Sequence, residues 1–486
     1  RHSFLALARS LKAMGQTADA TRVMERYRLL DRVAFIASEI DRTSEQMSQV
    51  VQLLVKLHRT AEARAWNKLA QQSPQQINTS EVPETGHEEH WASCGLNTSD
   101  WPLPDFSRLG ARSSIPEEKG FQPGEDIVLT NVAETVELNM EYMPGPPGTN
   151  LNQLLMHQTI GGGIATLDYD LDGWPDLHFT QGSGTPFENS GSEPDQLFRN
   201  HQGKVFSKVA HSAGIAHRGF GQGATSADLN QDGFPDLVIA NIGRNIIYMN
   251  NGDGTFSDFD QESMSSDNRW TTSIACGDLT GDHLPDLVEI NYIDDPTVLT
   301  AKCSIPGGNG HCNPQRFQAA TDQLLRNTAD GKLVPLLTSD PIPPGYGFSA
   351  LITNIDNQFG NDLFIANDTD PNHFWQSQKT ENSDHRFRLT QRATLLGCAN
   401  GLLGNPESCM GVATGDFDRN GALDFHVTNY TEESSDLYLQ KKSGIFSNDF
   451  IRLGLEPATA PMVGWGTQAS DLNSDGWLDL VILNGH

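Results

Sequence analysis

Asp168-Tyr-Asp-Leu-Asp-Gly-Trp-Pro-Asp176 sets carboxylates at positions 1, 3, 5 and 9 of a nine-residue loop, with Gly173 at position 6. Hard cations such as Ca²⁺ take six to eight oxygens, and carboxylates spaced by two along a tight loop can converge on one point. Position 6 must turn sharply, which glycine does without steric cost. The same pattern returns at 228–236, 278–286, 354–362, 416–424 and 471–479, six copies in all. Self-similarity of this kind marks a repeat protein.

The candidate ligands are the side chains at those four positions. They are Asp168, Asp170, Asp172 and Asp176 in the first loop and Asp228, Asn230, Asp232 and Asp236 in the second. The third loop offers Asp278, Thr280, Asp282 and Asp286, the fifth Asp416, Asp418, Asn420 and Asp424, and the sixth Asp471, Asn473, Asp475 and Asp479. The fourth offers a weaker set, Asn354, Asp356, Gln358 and Asp362, because Phe359 stands where the glycine conformation is needed. His283 replaces that glycine in the third loop, which predicts reduced affinity there. Several structural Ca²⁺ ions are therefore expected, with the first loop binding best.

An EF-hand would carry a bidentate Glu at position 12 and helical flanks. Position 12 of the first copy is instead Phe179, inside Asp-Leu-His-Phe-Thr. Short apolar, partly β-branched runs such as Leu237-Val-Ile-Ala-Asn241 read as buried strands. Each loop is then the tip of a β-hairpin, with its last Asp opening the returning strand. Around the second loop, 223–228, 237–241, 245–250 and 255–258 make four strands, and Asn251-Gly-Asp-Gly254 is a hairpin turn. Four antiparallel strands per unit, repeated about an axis, make a β-propeller. The loops start 60, 50, 76, 62 and 55 residues apart, so insertions differ between blades. The expected fold is mainly β: six or seven blades over 126–486, with seven favoured and the last incomplete. Val128-Leu-Thr-Asn-Val-Ala133 reads as an outer strand that locks the ring.

Residues 1–72 read as a small all-α helical-repeat domain. Phe4, Leu5, Leu7, Ala8 and Leu11 recur at helical spacing, and Val50, Val51, Leu54, Val55 and Leu57 open another helix. Up to residue 75 the chain carries 12 Lys/Arg against 7 Asp/Glu, while the whole chain has a formal net charge of −29. Residues 73–125 are polar and read as a linker or extended segment. So acidic a chain is a poor match for nucleic acid, which requires an excess of Lys and Arg. No run of about 18 apolar residues is present to span a membrane. The chain opens at Arg1 and closes just after a strand, leaving room for a signal or anchor upstream and more propeller downstream.

Cys303 and Cys312 bracket one Gly/Pro-rich loop, and Cys398 and Cys409 bracket another. Each pair is a disulfide candidate, which points to an oxidising compartment. Cys276 reads as a buried free thiol.

These repeats resemble the FG-GAP/VCBS family, the propeller of integrin α-subunits and many secreted bacterial proteins. Gly161-Gly-Gly-Ile-Ala-Thr-Leu-Asp-Tyr-Asp-Leu-Asp-Gly-Trp-Pro-Asp-Leu is similar to the opening of its cartilage-acidic-protein/UnbV-type branch. That branch often carries a Cys-bracketed insertion like 303–312, and in bacteria is often joined to tetratricopeptide repeats, which the N-terminal helices loosely resemble. The resemblance implies calcium-stabilised hairpins and extracytoplasmic binding, and no reaction. No Gly-x-Ser-x-Gly, P-loop, His-Glu-x-x-His or dinucleotide fingerprint occurs. His157 is the first histidine to examine for catalysis, against its reading as a structural rim histidine. The expectation is a non-catalytic scaffold with a protein or glycan on the propeller face. A peptide or subunit would dock on the helical domain. The alternatives are an enzyme or electron-transfer subunit using the central funnel, or a structural subunit of a larger assembly. Trp174 and Trp477, at position 7 of their loops, read as ligand platforms or as packing between blades.

Overall fold

A computed structural model describes residues 127–485 except 151–153, 260–268, 306–307, 311, 337, 339, 359, 380–386 and 443. It also describes residues 21, 23–24, 28–29, 32 and 44–56. The chain divides into two compact units, Arg1–Pro123 and Gly124–His486.

The first unit contains the helix Ser44–Lys56, which buries Val50, Val51 and Leu54 on one face and ends on a basic side chain, Lys56. It starts ahead of the apolar run that signals it. The other N-terminal helical segments, the 73–125 linker and Cys94 lie outside the described residues.

The second unit is built from antiparallel sheets in chain order. The first blade has the strands Ile164–Leu167, Asp176–Phe179, Gln196–Asn200 and Phe206–Lys208, and the second has Gly221–Ala227, Asp236–Asn241, Ile246–Asn250 and Phe256–Asp258. The third uses Thr271–Gly277, Asp286–Asn291, Gln323–Asn327 and Leu333–Pro335, with the insertion between its second and third strands. The fourth has Gly347–Thr353, Asp362–Asn367, His373–Lys379 and Phe387–Gln391. The fifth has Val412–Gly415, Asp424–Val427, Asp436–Lys442 and Ile445–Asn448. Val463–Ser470 and Asp479–Gly485 form a sixth sheet of two strands. The innermost strands of successive blades lie side by side, which is the arrangement of a β-propeller.

Why the second strands carry apolar residues on both faces is explained by the packing. Alternate side chains point to opposite faces of a strand, and here each face meets a neighbouring blade. Leu237 and Ile239 join Leu167, Tyr169 and Leu197 of the first blade, while Val238 and Ala240 join Ile274, Leu287 and Leu325 of the third. Leu363 and Ile365 pack on the third blade and Phe364 and Ala366 on the fifth. The core is therefore a series of layers between blades.

Close approach at the axis explains the glycines of the inner strands. A Cβ on Gly163 would fall 2.6 Å from Gly223 Cα, and one on Gly223 would fall 2.7 Å from the Thr272 carbonyl oxygen. Side chains also cross between these strands: Ser226 Oγ donates to Thr166 O at 3.0 Å and Thr272 Oγ1 to Gly347 O at 2.7 Å.

Two expectations are corrected. Val128–Ala133 forms no strand: Val128 and Leu129 are exposed, and the segment turns at Ala133, where Leu138 N donates to Ala133 O at 2.8 Å. Within this turn the chain touches the first blade, with Phe206 N donating to Val136 O at 2.8 Å. Cys303 and Cys312 are bridged, but Cys398 and Cys409 are separate thiols. Both are buried in the layer between blades four and five, where each has another polar partner. Asn372 Nδ2 donates to Cys409 Sγ at 3.5 Å, and Cys398 Sγ lies 3.8 Å from Ala393 O. Cys276 is free and half-buried, with its thiol pushed up to about 12 by desolvation.

Candidate metal centres

All six acidic loops join the first strand of a blade to its second, and Asp176, Asp236, Asp286, Asp362, Asp424 and Asp479 each open the returning strand. The four positions have different duties.

Position 1 shapes the loop. Asp168 Oδ1 accepts from Asp172 N at 3.0 Å and Oδ2 from Gly173 N at 2.9 Å. Asp228, Asp416 and Asp471 repeat both bonds, and Asp278 does so with Asp282 N and His283 N. Such a wrap requires two left-handed residues. Position 6 is one, at φ 90° in Gly173 and 70° in His283. Position 4 is the other, at φ 56° in Leu171, 54° in Gln231 and 59° in Arg419. Sequence reasoning missed position 4, because non-glycine residues seldom take this conformation.

Position 9 is a structural clamp as much as a ligand. Asp176 Oδ2 accepts from Tyr169 N at 3.1 Å, and its Oδ1 accepts from Asn200 N, at the end of the third strand, at 2.7 Å. The same pair of bonds recurs at Asp236, Asp286, Asp362 and Asp424. Burial pushes Asp176, Asp286 and Asp424 up to about 6, and Asp236 and Asp362 to about 7, against the opposing pull of those backbone donors. The third-strand residue then ties one blade to the next. Asn250 Nδ2 reaches Tyr169 O at 2.8 Å, Asn327 Nδ2 reaches Leu229 O at 2.7 Å, and Gln440 Nε2 reaches Ile355 O at 2.8 Å. The signal was in the chain, as the Arg-Asn, Met-Asn and Arg-Asn that end the third strands of the first three blades and the Leu-Gln within that of the fifth.

Carboxylate oxygens of Asp168, Asp170 and Asp176 lie within 4.8 Å of one another, as do those of Asp416, Asp418 and Asp424. Asp170 Oδ1 is buried and has no hydrogen-bond partner. A lone buried carboxylate oxygen beside two more carboxylates is costly unless a cation meets it. The residues present fit Ca²⁺ on that ground. Asp172 is engaged elsewhere: its Oδ1 accepts from Trp174 N at 3.0 Å, and Arg199 Nη2 lies 3.2 Å from its Oδ2 and 2.6 Å from Asp170 Oδ2.

The other loops carry fewer carboxylates. Asn230 and Asn473 hold position 3 of the second and sixth loops, each donating to the position 5 aspartate, Asp232 or Asp475. In the third, Thr280 Oγ1 is buried without a partner, while Arg326 lies 3.1 Å from Asp282. In the fourth, Asn354 Nδ2 donates to Gln358 O at 3.1 Å and Gln376 Nε2 to Asp356 Oδ2, so neighbouring amides occupy the loop. Phe359 lies outside the described residues. In the fifth, Asn420 Nδ2 turns to Gln440 O at 2.9 Å.

Residues 168–239 and 228–289 match the family model described as the FG-GAP-like repeat. The FG-GAP-like segment covers the first three loops, and the later three share its hairpin and clamp geometry. No curated protein matches the chain. Among solved structures, an Agrocybe aegerita lectin that recognises non-reducing terminal N-acetylglucosamine aligns at 13% identity and TM-score 0.37, over 65% of this chain and 73% of that one. A triple-arginine mutant of AofleA from Arthrobotrys oligospora aligns at 11% and 0.36, over 66% and 79%. BBS1N in complex with ARL6DN aligns at 9% and 0.37, over 66% and 75%.

Three other residues singled out by sequence have ordinary packing neighbours. His157 is buried edge-on against Phe220 at 5.2 Å and Trp270 at 6.3 Å, and desolvation lowers it to about 4. Arg419 of the preceding blade's loop lies 4.4 Å above the Trp477 ring and Trp174 lies over Gly203 of its own blade, while both tryptophans stay exposed.

Proposed function

We propose that this chain is a calcium-stabilised, extracytoplasmic β-propeller that acts as a non-catalytic scaffold for a protein or glycan partner. The observation that carries the calcium reading is the unpartnered, buried Asp170 Oδ1 beside Asp168 and Asp176. Asp168, Asp170 and Asp176 would hold one ion, and Asp416, Asp418 and Asp424 a second. The second and sixth loops, with Asn230 and Asn473 in place of one carboxylate, would bind more weakly, and the amide-filled fourth loop weakest of all. Bound Ca²⁺ supplies positive charge and rigid oxygen coordination at the hairpin tips; it does no chemistry. Extracellular calcium modules work at Kd of about 10⁻⁴–10⁻³ M, a range filled outside cells and empty in a cytosol.

The extracytoplasmic placement is supported by the Cys303–Cys312 bridge, since such bonds persist in oxidising compartments. No described helix is long and apolar enough to cross a membrane.

The test is metal content with thermal melting of the purified chain, with and without a chelator. Co-purifying calcium and a melting point that falls on chelation support the reading. A metal-free protein equally stable in chelator refutes it.

A further inference from the structure

At the end of the propeller away from the acidic loops, a cavity of about 280 Å³ opens among blades three to six. Tyr292, Phe348, Met410, Tyr430 and Trp465 form its walls, and Asp368 is the one charged residue lining it among the described residues. Phe348 lies 4.8 Å from the Tyr292 ring and 6.0 Å from the Trp465 ring, so the aromatic wall runs continuously across three blades.

Asp368 is out of place in the repeat. Six residues past the last loop aspartate, blades two to five carry Ile242, Tyr292, Asp368 and Tyr430. A carboxylate among apolar and aromatic residues loses hydration and needs compensation. Tyr292 supplies part of it, donating its hydroxyl to Asp368 Oδ2 at 2.6 Å, and Ser408, bridged to Asp368 through the backbone, supplies a second side-chain hydrogen bond. Burial, against the pull of those two hydrogen bonds and helped by the negative charges of Glu433 and Asp370, pushes Asp368 up to about 6. Glu433 sits beside the cavity, its Oε2 accepting from Ser408 N at 2.7 Å. Among the described residues no Lys or Arg lines the cavity.

The next residue is strained. Thr369 is β-branched yet has φ 63°, a left-handed conformation such residues rarely take. It is held there by Thr369 N donating to Glu407 O at 3.1 Å and by Gln315 Nε2 donating to Thr369 O at 3.2 Å. Its hydroxyl is buried with no partner. Strain that persists because its surroundings enforce it is a feature of ligand sites.

We propose that this cavity binds a small organic cation, an alkylammonium group, with Asp368 meeting its charge and the Tyr430, Phe348 and Trp465 rings meeting its methyl faces. Aromatic faces attract such cations through the ring quadrupole, and most strongly where water is excluded. A carboxylate within an aromatic wall answers both the charge and the apolar surface of that ligand. The volume suits a headgroup rather than a drug-sized molecule. This site shares no residue with the acidic loops.

The experiment is calorimetric titration of the full chain with choline and with dimethylbutanol, its neutral carbon isostere. Choline should bind at least tenfold more tightly than the isostere. Asp368→Asn should remove that preference, and Tyr430→Ala, at an exposed position, should weaken choline binding at an unchanged melting temperature. Equal binding of the two probes means an apolar pocket without cation recognition and overturns the proposal. So does the absence of choline binding to a chain shown by its melting to be folded, or an Asp368→Asn variant that keeps the preference. The calcium reading is decided by metal content, so the two fail separately.

Discussion

Asp236 and Asn250 are joined across the second blade: Asp236 Oδ1 accepts from Asn250 N at 2.8 Å while its Oδ2 accepts from Leu229 N at 2.9 Å. One buried carboxylate thus fixes both the loop and the end of the third strand, whether or not a metal is bound. Asp236→Ala orphans two buried N–H groups, at about 1–3 kcal/mol each. The variant should melt well below the parent in chelator as well as in calcium, which differential scanning calorimetry reads directly.

Asp170 should behave in the opposite way. Its Oδ1 has no partner in the fold, and its Oδ2 meets a half-exposed Arg199. Asp170→Ala should leave the melting temperature in chelator nearly unchanged and reduce the rise that calcium produces. Equal losses in both conditions would mean that position 3 serves the loop rather than an ion.

The Asn and Gln ties between blades are a third target. Asn327→Ala removes the donor to Leu229 O and leaves a buried carbonyl unpaired. A loss of about 1–3 kcal/mol in urea unfolding is expected. Asn327→Asp, which keeps the size but not the donor, should cost at least as much.

Thiol titration checks the cysteine assignments. Cys398 and Cys409 are buried and Cys276 is half-buried, and desolvation raises the pKa of all three. A thiolate-specific reagent should leave them unmodified in the native protein and react with them after unfolding. Peptide mapping without reductant should find Cys303 linked to Cys312, and Cys398 and Cys409 free.

Acid sensitivity should come in part from buried neutral histidines. Desolvation lowers His157, His217 and His373 to about 4, below the ordinary 6.5. The unfolded chain therefore takes up protons first, and stability falls as pH drops from about 6.5 towards 4. The raised loop carboxylates, protonated first in the folded chain, act with the opposite sign. The readout is consequently a difference: His157→Phe should lose less stability than the parent between pH 7 and pH 5, measured by urea midpoints in the same buffer series.

Much of the second unit was legible because its constraints are local. A loop that must turn at position 6 and open a strand at position 9 announces itself in nine residues, and all six hairpins stand where that pattern places them. The less visible parts depend on distant segments. Arg199 lies across Asp170 because the third strand returns beside the loop, and nothing near residue 170 foretells it. Cys398 and Cys409 looked paired by spacing, yet Asn372, just before the third strand of the fourth blade, offers Cys409 a partner inside the layer. Val128 and Leu129 have strand-like side chains, but a strand needs an edge to pair with, and the chain turns along the first blade instead.

The sequence by itself determined the repeat, the hairpin loops and the oxygen-rich positions within them, since glycine geometry and carboxylate spacing act over a few residues. Only the tertiary structure decided which oxygens those loops leave unpartnered and which they spend on backbone N–H groups. It alone brought Tyr292, Asp368, Tyr430 and Trp465, from four blades, around one cavity. The physical reason is that hydrogen-bond satisfaction and burial are sums over neighbours, and in a propeller those neighbours come from blades far apart in the chain.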